Sequence, residues 1–432
     1  MHGLWCLPLL LLGQATAWAE EGTVAPAADP AERSAWRYLR DQGLTGSVRL
    51  DYYRSSKSFD NATDFLGATT QAKLLPTVTH WLDAKIEGRV THPDVANHGD
   101  TQSTLLEGYV TAHFEHADLR IGKQIVAWGR ADGINPTDNL TPHDYQVLLP
   151  FEEDQRFGTT AVKLDAYLST HYTFTLFTTP YFLPSKLPFP SGGATLVETR
   201  PDRHWSDSEV GLKLNRVGGT LDWSVSYYHG YNLLPEVHPW GLTPTGPLLA
   251  LRYTPIDMLG ADLAQNFGRY GVRAEAAYFR PRDYLASKPV GISPYLYLVA
   301  GVDRTFLDNF NVNLQLVSRW VQDYMDPEAI VDPLLRATAV QNAITFGQQD
   351  RANYGMTTRL SNKWYNDTLT AEVLAFVNFN HSSSYIRPLI TYAFTDYVRA
   401  TIGAELYRGA DDTFFGRVRR NQGAFVEVRY SF

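Results

Sequence analysis

Charged residues of both signs recur at alternate positions of extended segments, and they are the residues of this sequence with the clearest chemistry. Arg49 and Asp51 alternate with Val48, Leu50 and Tyr52, and the same arrangement returns in many later segments. Ionised side chains are tolerated where water reaches them and are costly in a dry core unless they are paired. The pattern therefore predicts either a water-filled interior lined by charge or a dense network of cross-strand ion pairs.

Residues that could carry catalysis or bind a metal are scattered rather than clustered. His113, Glu115 and His116 place two candidate metal ligands on one strand face and a third in the following turn, but a polar, solvated interior produces the same arrangement. No serine nucleophile elbow and no phosphate-binding glycine loop stands out. We predict no catalytic residue, no metal and no cofactor. The minority alternative is a membrane-embedded hydrolase whose Ser and His residues converge only in three dimensions.

Residues 1–19 are typical of a secretory signal peptide. The apolar run Leu4–Leu12 is too short to span a bilayer, and it leads to a small-x-small cleavage site at Ala17–Ala19. The single cysteine, Cys6, lies within this segment, so the mature chain is expected to have no disulfide and no thiolate ligand. Residues 20–43 are predicted to form a periplasmic leader, for which a short helix and a flexible tail both fit the sequence.

Composition narrows the class of protein. After the signal, no apolar stretch approaches the roughly 18 residues of a transmembrane helix. The mean hydropathy of −0.26 fits a soluble protein, and it fits equally a barrel whose strands face lipid and water in turn. Aromatic residues make up 13% of the chain, with 25 Tyr and 10 Trp, which favours a barrel with aromatic girdles at the membrane interfaces. The net charge of −8 argues against a nucleic-acid partner.

The C-terminal segment is the clearest strand. Val428, Tyr430 and Phe432 share one face, and Glu427 and Arg429 lie on the other. This period of two predicts a strand with one face toward lipid and one toward the lumen. A terminal Phe with a Tyr two residues before it resembles the signal that the barrel-assembly machinery of the outer membrane recognises.

Segment and connection lengths indicate the architecture. Alternating segments recur at about nine to eleven residues, which is the length that a tilted transmembrane strand requires. Short connections such as Glu115–Asp118 alternate along the chain with long ones such as Thr91–Ser103 and Trp128–Phe157, as periplasmic turns alternate with extracellular loops. We therefore predict an all-β fold, a transmembrane antiparallel β-barrel of about 18 strands over residues 44–432, with both termini periplasmic. A count of about sixteen strands is the alternative.

The long connection at residues 128–157 is the candidate constriction. It is too long for a simple hairpin, its Pro and Gly residues suit an ordered fold, and its charges suit a wet one. Folded into the barrel it would narrow the passage, and the lumen charges beside it would sort solutes by their charge. A surface loop is the alternative. The predicted pore and constriction residues are Arg130, Asp132, Asp138, Arg156, Lys85, Glu87, Arg89, Arg273, Glu275, Arg399, Glu427 and Arg429.

A short motif spans the end of the fifth predicted strand and the beginning of this connection. It consists of Gly122, Gln124, Trp128, Gly129, Asn135, Pro136 and Asp138. The segment resembles alginate-export-type and related porin-like outer-membrane families, in which a Gly-x-Gln strand runs into a Trp-Gly turn and an Asn-Pro-x-Asp stretch. The resemblance implies a monomeric barrel that passes a polar or anionic solute, such as a polysaccharide. An exporter of an anionic polymer needs a basic lumen, and the predicted lumen here is mixed in charge.

Together these features predict a channel for the diffusion or export of polar or charged solutes across the outer membrane of a Gram-negative bacterium. The predicted partners are outer-membrane lipids and lipopolysaccharide, the barrel-assembly machinery, contacted through the strand that ends at Phe432, and a polar solute or polysaccharide. The first alternative is an export port or scaffold for a polysaccharide or an envelope complex. The second is the hydrolase described above.

Overall fold

The computed structural model describes residues 37–432 apart from 60–61, 94–99, 147–150, 188–193, 203, 245 and 308. The predicted signal peptide, 1–19, and most of the predicted leader, 20–43, lie outside the described residues. Residues 37–41 form a helical turn, and the first strand begins four residues later, at Thr45.

Eighteen strands form one closed antiparallel barrel, and a further three-residue strand, Thr77–Thr79, pairs only with the barrel strand that follows it in the chain. In chain order they are β1 (Thr45–Phe59), β2 (Ala62–Leu74), β3 (Leu82–His92), β4 (Gln102–Phe114), β5 (Ala117–Gln124), β6 (Thr159–Tyr167), β7 (Tyr172–Thr179), β8 (Glu209–Arg216), β9 (Leu221–Tyr231), β10 (Pro255–Phe267), β11 (Tyr270–Pro281), β12 (Tyr295–Phe306), β13 (Phe310–Val321), β14 (Ala352–Trp364), β15 (Leu369–Asn378), β16 (Ser383–Ala393), β17 (Val398–Arg408) and β18 (Gly423–Ser431).

The first and last strands close the ring. Each strand pairs with its neighbour in sequence, and β1 pairs with β18 from Ser47 opposite Ser431 to Ser55 opposite Gly423. Closure leaves no strand edge bare, which is why a β-structure can sit in lipid. The predicted barrel of 18 strands is confirmed, and the alternative count of sixteen is wrong.

Side chains alternate between the two faces of the wall. Leu50 and Tyr52 are 45% and 42% exposed on the outside, whereas Arg49 and Asp51 are buried on the inside. One departure from simple alternation occurs in β4, where Glu87 pairs with Glu107 but Gly88 pairs with Leu105. The extra residue of this bulge, Leu106, turns inward and is buried, although strict alternation places it on the outer face.

Connection lengths differ between the two ends of the barrel. We call the end that carries Thr45 and Ser431 the terminal rim, and the opposite end the loop rim. Connections at the terminal rim are short, as in 115–116 and 268–269, whereas the loop rim carries 125–158 and 322–351. The predicted alternation of short and long connections has two exceptions, because the loop-rim connections from β1 to β2 and from β15 to β16 are also short.

The long connections carry local structure of their own. A hairpin of Glu236–Thr243 and Gly246–Arg252 pairs in parallel with Thr195–Thr199. The helix Pro333–Thr345 begins at Asp332, whose carboxylate accepts hydrogen bonds from two backbone N–H groups of the first turn. Within the described ranges, no helix is both long and apolar enough to cross a membrane.

Candidate functional site

An apolar cluster inside the barrel holds the connection 125–158, which we call the inner loop, against one side of the wall. The side chains of Val126, Trp128 and Leu140 from the inner loop pack with inward-facing residues of β6 to β12, including Phe177 and Met258. All are almost fully buried, so this contact removes a large apolar area from water. The inner loop is therefore part of a packed core within the lumen.

Small residues on the inner wall make room for this packing. A Cβ added at Gly211 would lie 2.9 Å from the Trp128 ring, and one added at Gly260 would lie 2.8 Å from the methyl group of Thr137. A larger side chain at either position would push the inner loop away from the wall.

Polar anchors tie the beginning of the inner loop to the same side of the barrel. The Glu275 carboxylate on β11 accepts hydrogen bonds from the backbone N–H groups of Arg130 and Ala131 and, at 3.1 Å, from the Thr137 hydroxyl. The Arg130 guanidinium forms an ion pair with Asp262 on β10. Glu275 is 3% exposed, so each of these donors replaces water that the carboxylate has lost.

Asp132 extends these contacts to two further strands. Its carboxylate lies 3.0 Å from the Arg359 guanidinium on β14 and accepts a 3.1 Å hydrogen bond from the Asn313 amide on β13. Arg359 also faces Glu372 on β15, at 3.6 Å. The first part of the inner loop is thus bound to the wall from β10 to β14.

The last part of the inner loop is bound to the opposite side. Asp154 lies 2.5 Å from the Arg49 guanidinium on β1 and 3.9 Å from that of Arg429 on β18, and its backbone carbonyl accepts a hydrogen bond from Arg89 on β3. Glu427 on β18 lies between the arginines, at 3.9 Å from Arg49 and 3.1 Å from Arg429. Three arginines and one buried glutamate therefore surround Asp154 and hold it against the wall.

These two sets of anchors lie across the barrel from each other. Strands β18, β1 and β3 lie within four consecutive positions of the ring, and β10 and β11, which bind the beginning of the inner loop through Asp262 and Glu275, lie about halfway round it. The inner loop therefore crosses the lumen from one wall to the other. A barrel of this strand number is too wide for wall side chains to fill, so the loop determines how much open space remains.

Contacts within the inner loop fix its own shape. Arg156 lies 2.6 Å from Asp138, which also accepts a 3.2 Å hydrogen bond from the Trp128 backbone N–H. Burial raises the pKa of Asp138, and the Arg156 guanidinium opposes that shift. Burial and the positive charge of Arg156 lower the pKa of His143 to about 4, so this imidazole is neutral at neutral pH.

A second long connection supports the inner loop. Lys186, in the connection 180–208, lies 2.7 Å from the buried Asp144 carboxylate. The backbone N–H of Lys186 donates to the His143 carbonyl at 2.9 Å. These contacts fasten the middle of the inner loop near the loop rim.

Ten of the twelve predicted pore residues belong to the inner loop, to its anchors or to the adjoining wall, and the other two lie away from it. Arg130, Asp132, Asp138 and Arg156 belong to the inner loop, and Arg89, Glu275, Glu427 and Arg429 are wall residues at its anchors. Lys85 and Glu87 pair with each other at 2.8 Å, and Lys85 also contacts Glu107, which accepts a hydrogen bond from the first residue of the inner loop. Arg273 pairs with Asp303 near the terminal rim, and Arg399 is exposed at that rim, so neither contacts the described part of the inner loop.

Some site residues were not predicted from the sequence. Asp262 binds Arg130, and its inward position between Ala261 and Leu263 follows the same alternation that identified the other lumen charges. The apolar cluster was also missed. Its signal is that Met258 and Phe279 are apolar at inward positions, where a fully water-filled lumen would favour polar side chains.

Metal binding finds no support in the described part of the chain, where no group of three or more potential ligands has the required geometry. His113 lies between two carboxylates, at 3.0 Å from Asp83 and 2.9 Å from Asp118. His116 lies 3.7 Å from Glu115 in the turn and belongs to a separate, exposed contact.

Several solved structures of other proteins share this fold. No protein-family model and no curated protein matches the chain significantly. Among solved structures, OccAB3 of Acinetobacter baumannii has a TM-score of 0.57 at 9% identity, covering 90% of this chain and 98% of that one. OpdK of Pseudomonas aeruginosa, solved with vanillate, has a TM-score of 0.56 at 9% identity over the same shares. OccD3 of the same organism has a TM-score of 0.55 at 9% identity, covering 90% of each chain. The likeness shows an Occ-type outer-membrane barrel fold.

The predicted resemblance to alginate-export-type families is not supported, because the three similar structures described above, each covered by the chain over most of its length, are Occ proteins. The motif has a local explanation instead. Gly122, at φ +133°, lets β4 approach so closely that a Cβ would lie 2.4 Å from the Gly108 carbonyl oxygen. Gln124 is fully buried and donates to the Ala161 carbonyl at 3.0 Å. Gly122 and Gln124 therefore fix the end of β5 against its two neighbouring strands, and Trp128 and Asp138 hold the inner loop that follows.

Proposed function

We propose that this chain is an outer-membrane channel through which small polar or charged solutes pass down their gradient. The observation that carries the proposal is the double anchoring of the inner loop, to Arg49 on one wall and to Glu275 on the other. A loop held across a wide barrel narrows the water-filled passage and can still leave part of it open. The charged side chains along the loop and the wall would then select solutes.

The similar structures are consistent with this role. OpdK is an outer membrane protein of Pseudomonas aeruginosa, and it was solved with vanillate, a small aromatic carboxylate. Small charged solutes are therefore the class that we propose for this chain. The mixed lumen charge favours such solutes over a long anionic polymer, which would need a continuous basic path.

The remaining parts of the proposal concern targeting and orientation. Residues 1–19 would direct export to the periplasm, and the terminal rim would face the periplasm, since short connections are typical of that side. The strand that ends at Phe432 would be read by the barrel-assembly machinery. Arg130, Asp132 and Arg156 of the inner loop would contact solute, and the buried Asp138 would hold Arg156 in place. Arg89, Glu275, Glu427 and Arg429 would be wall residues of the constriction.

Single-channel recording in planar bilayers tests the proposal. The refolded mature chain should conduct ions, and deletion of Asp132–Asp154 should raise the conductance and change the ion selectivity. Because this deletion could disturb folding, the substitution Asp154→Asn provides a second variant that changes one anchor. The paired substitutions Lys363→Gln and Asp367→Asn serve as control, since that exposed pair lies at a terminal-rim turn.

Two outcomes would overturn the proposal in different ways. A folded, inserted barrel that carries no current in any solution would exclude a channel. Equal conductance and selectivity in the wild type and both loop variants would exclude the inner loop as the constriction.

A further inference from the structure

We propose that the outer wall of β9 to β13 holds a specific site for a phosphorylated glycolipid of the outer leaflet, the lipid A moiety of lipopolysaccharide. The lipid phosphate would bind Arg280 and Arg282 at the loop rim, and an acyl chain would lie in a hollow of the wall beneath them. This inference rests on the membrane orientation given under the proposed function, but not on the passage of any solute.

The headgroup site is a cluster of outward-facing residues on three adjacent strands. His229, Asp257 and Arg280 lie opposite one another in register across β9, β10 and β11. The Asp257 carboxylate is already engaged, at 2.7 Å from the His229 ring and 3.1 Å from the Tyr227 hydroxyl. Arg282 contacts the His229 ring and donates to the Gly230 carbonyl at 3.1 Å.

Both arginines lack an acidic partner. Arg280 and Arg282 are exposed, and neither makes an ion pair with any carboxylate among the residues that the structure describes. Two neighbouring guanidinium groups on the outer face, at the level where a membrane surface would lie, are suited to bind a phosphate through paired hydrogen bonds.

A hollow in the outer wall lies below the cluster. Its volume is about 780 Å³, and its floor is formed by Ala261 and Ala276, which pair across β10 and β11, and by Ala274 and Ala300, which pair across β11 and β12. Larger side chains border it, namely Trp223, Leu263, Leu316 and Tyr354. Alanines next to bulky neighbours create a groove that an acyl chain can fill.

The spacing between the two parts fits a single lipid molecule. Ala276 and Arg280 are four residues apart on β11, which corresponds to about 13 Å along the strand. The row between them contains Tyr278 and Trp320, residues typical of the interface between headgroups and hydrocarbon. The order along the wall is therefore charged, aromatic and then apolar, as in a lipid that enters the membrane from this rim.

Charge complementarity favours a lipid over a second copy of the chain. Two copies related by an axis normal to the membrane would bring the same rim level, and hence the same arginines, toward each other. An anionic headgroup instead supplies the missing negative charge. Lipid A carries phosphate groups and several acyl chains, and it belongs to the leaflet that the loop rim would face.

Native mass spectrometry of the full mature protein in mild detergent tests the site, with bisphosphorylated lipid A as the added probe. The variant Arg280→Gln with Arg282→Gln should lower the bound fraction about tenfold, since each guanidinium contributes a charged hydrogen bond. The matched control is Arg269→Gln with Arg304→Gln, which removes two arginines at the terminal rim and should bind like the wild type. Ala276→Phe, which fills the hollow without changing charge, should also weaken binding.

Three results would exclude a phosphate-dependent lipid site at these residues. These are equal binding by the headgroup variant and the wild type, equal losses in the headgroup variant and its control, and equal binding of dephosphorylated lipid A. Equal binding of phosphatidylglycerol would assign the site to any anionic lipid and overturn the glycolipid assignment. The conductance of these variants should match that of the wild type. Failure of the lipid-site proposal would therefore not count against the channel proposal, which the single-channel recordings test separately.

Discussion

Asp154 and Arg49 form a buried ion pair that joins the inner loop to the first strand of the barrel. The two groups are 2.5 Å apart, and their side chains are only 10% and 5% exposed. A buried charge that loses its partner is left without compensation, which makes this contact sensitive to substitution of either residue.

Replacing Asp154 with Asn should release the far end of the inner loop. Removing one partner of a buried pair costs about 3–5 kcal/mol, and here the cost falls on loop docking because the strands keep their own hydrogen bonds. Single-channel records should show a larger mean conductance and more current fluctuation than the wild type. The pair Lys363→Gln and Asp367→Asn should leave the records unchanged, and an unaltered current in Asp154→Asn would contradict the expectation.

Gly129→Ala and Gly133→Ala form a matched pair. Both glycines have positive φ, at +99° and +87°, so both variants carry a backbone cost of about 1–2 kcal/mol. Only at Gly129 would the new Cβ meet another group, the Glu275 carboxylate at 2.5 Å, whereas nothing lies within 4 Å at Gly133. Limited proteolysis should cut the inner loop faster in Gly129→Ala than in Gly133→Ala. Equal rates would show that Glu275 does not hold the loop.

Acidification should loosen the inner loop through His143. Its pKa of about 4 in the docked loop lies below the ordinary value, so the docked state binds fewer protons than the released state. Docking is unaffected above the ordinary pKa of about 6.5 and weakens as the pH falls from there toward 4. Proteolysis of the loop across this range should show the effect in the wild type and lose it in His143→Gln. His171→Gln, at an exposed terminal-rim turn, should retain it.

Arg319→Gln should shift ion selectivity toward cations. The guanidinium lies inside the barrel, 4.2 Å from the centre of the Tyr297 ring and 5.0 Å from that of Tyr295, and it has no carboxylate partner in the described part of the chain. Its charge is therefore not cancelled locally and contributes to the field in the passage. The reversal potential in a salt gradient measures the change. Arg280→Gln removes the same charge from the outer wall and should leave the reversal potential unchanged.

Deletion of Phe432 should reduce assembly in cells more than refolding in vitro. Gly46 and Phe432 exchange two backbone hydrogen bonds of 2.9 Å where the ring closes, so the terminal residue belongs to the barrel seam. The fraction of folded protein, read from heat-modifiable migration in gels, should fall in cells and fall much less after refolding into detergent. Phe394→Ala, at another exposed aromatic residue, is the control. Equal losses in both settings would assign Phe432 a purely structural role.

The sequence alone determined the architecture. The alternation of residues such as Leu50 and Asp51 predicts which face of each strand lies in an apolar environment, because successive side chains point to opposite faces. The recurrence of such segments, with their connections, also led to the correct strand number. Leu106 was predicted on the outer face, which is wrong because a β-bulge inserts one residue at this point. The amino acids on either side of Leu106 do not indicate the bulge.

Only the tertiary structure decided how the interior is organised. Alternation showed that Arg49 and Glu275 face inward, but not which of them meets Asp154 or Arg130, since those contacts join residues more than 100 positions apart in the chain. The apolar cluster around Trp128 forms only because the inner loop crosses the lumen. The stability of that docked position depends on packing against several strands at once. Local patterns specify the wall, whereas the position of the loop within it follows from long-range contacts.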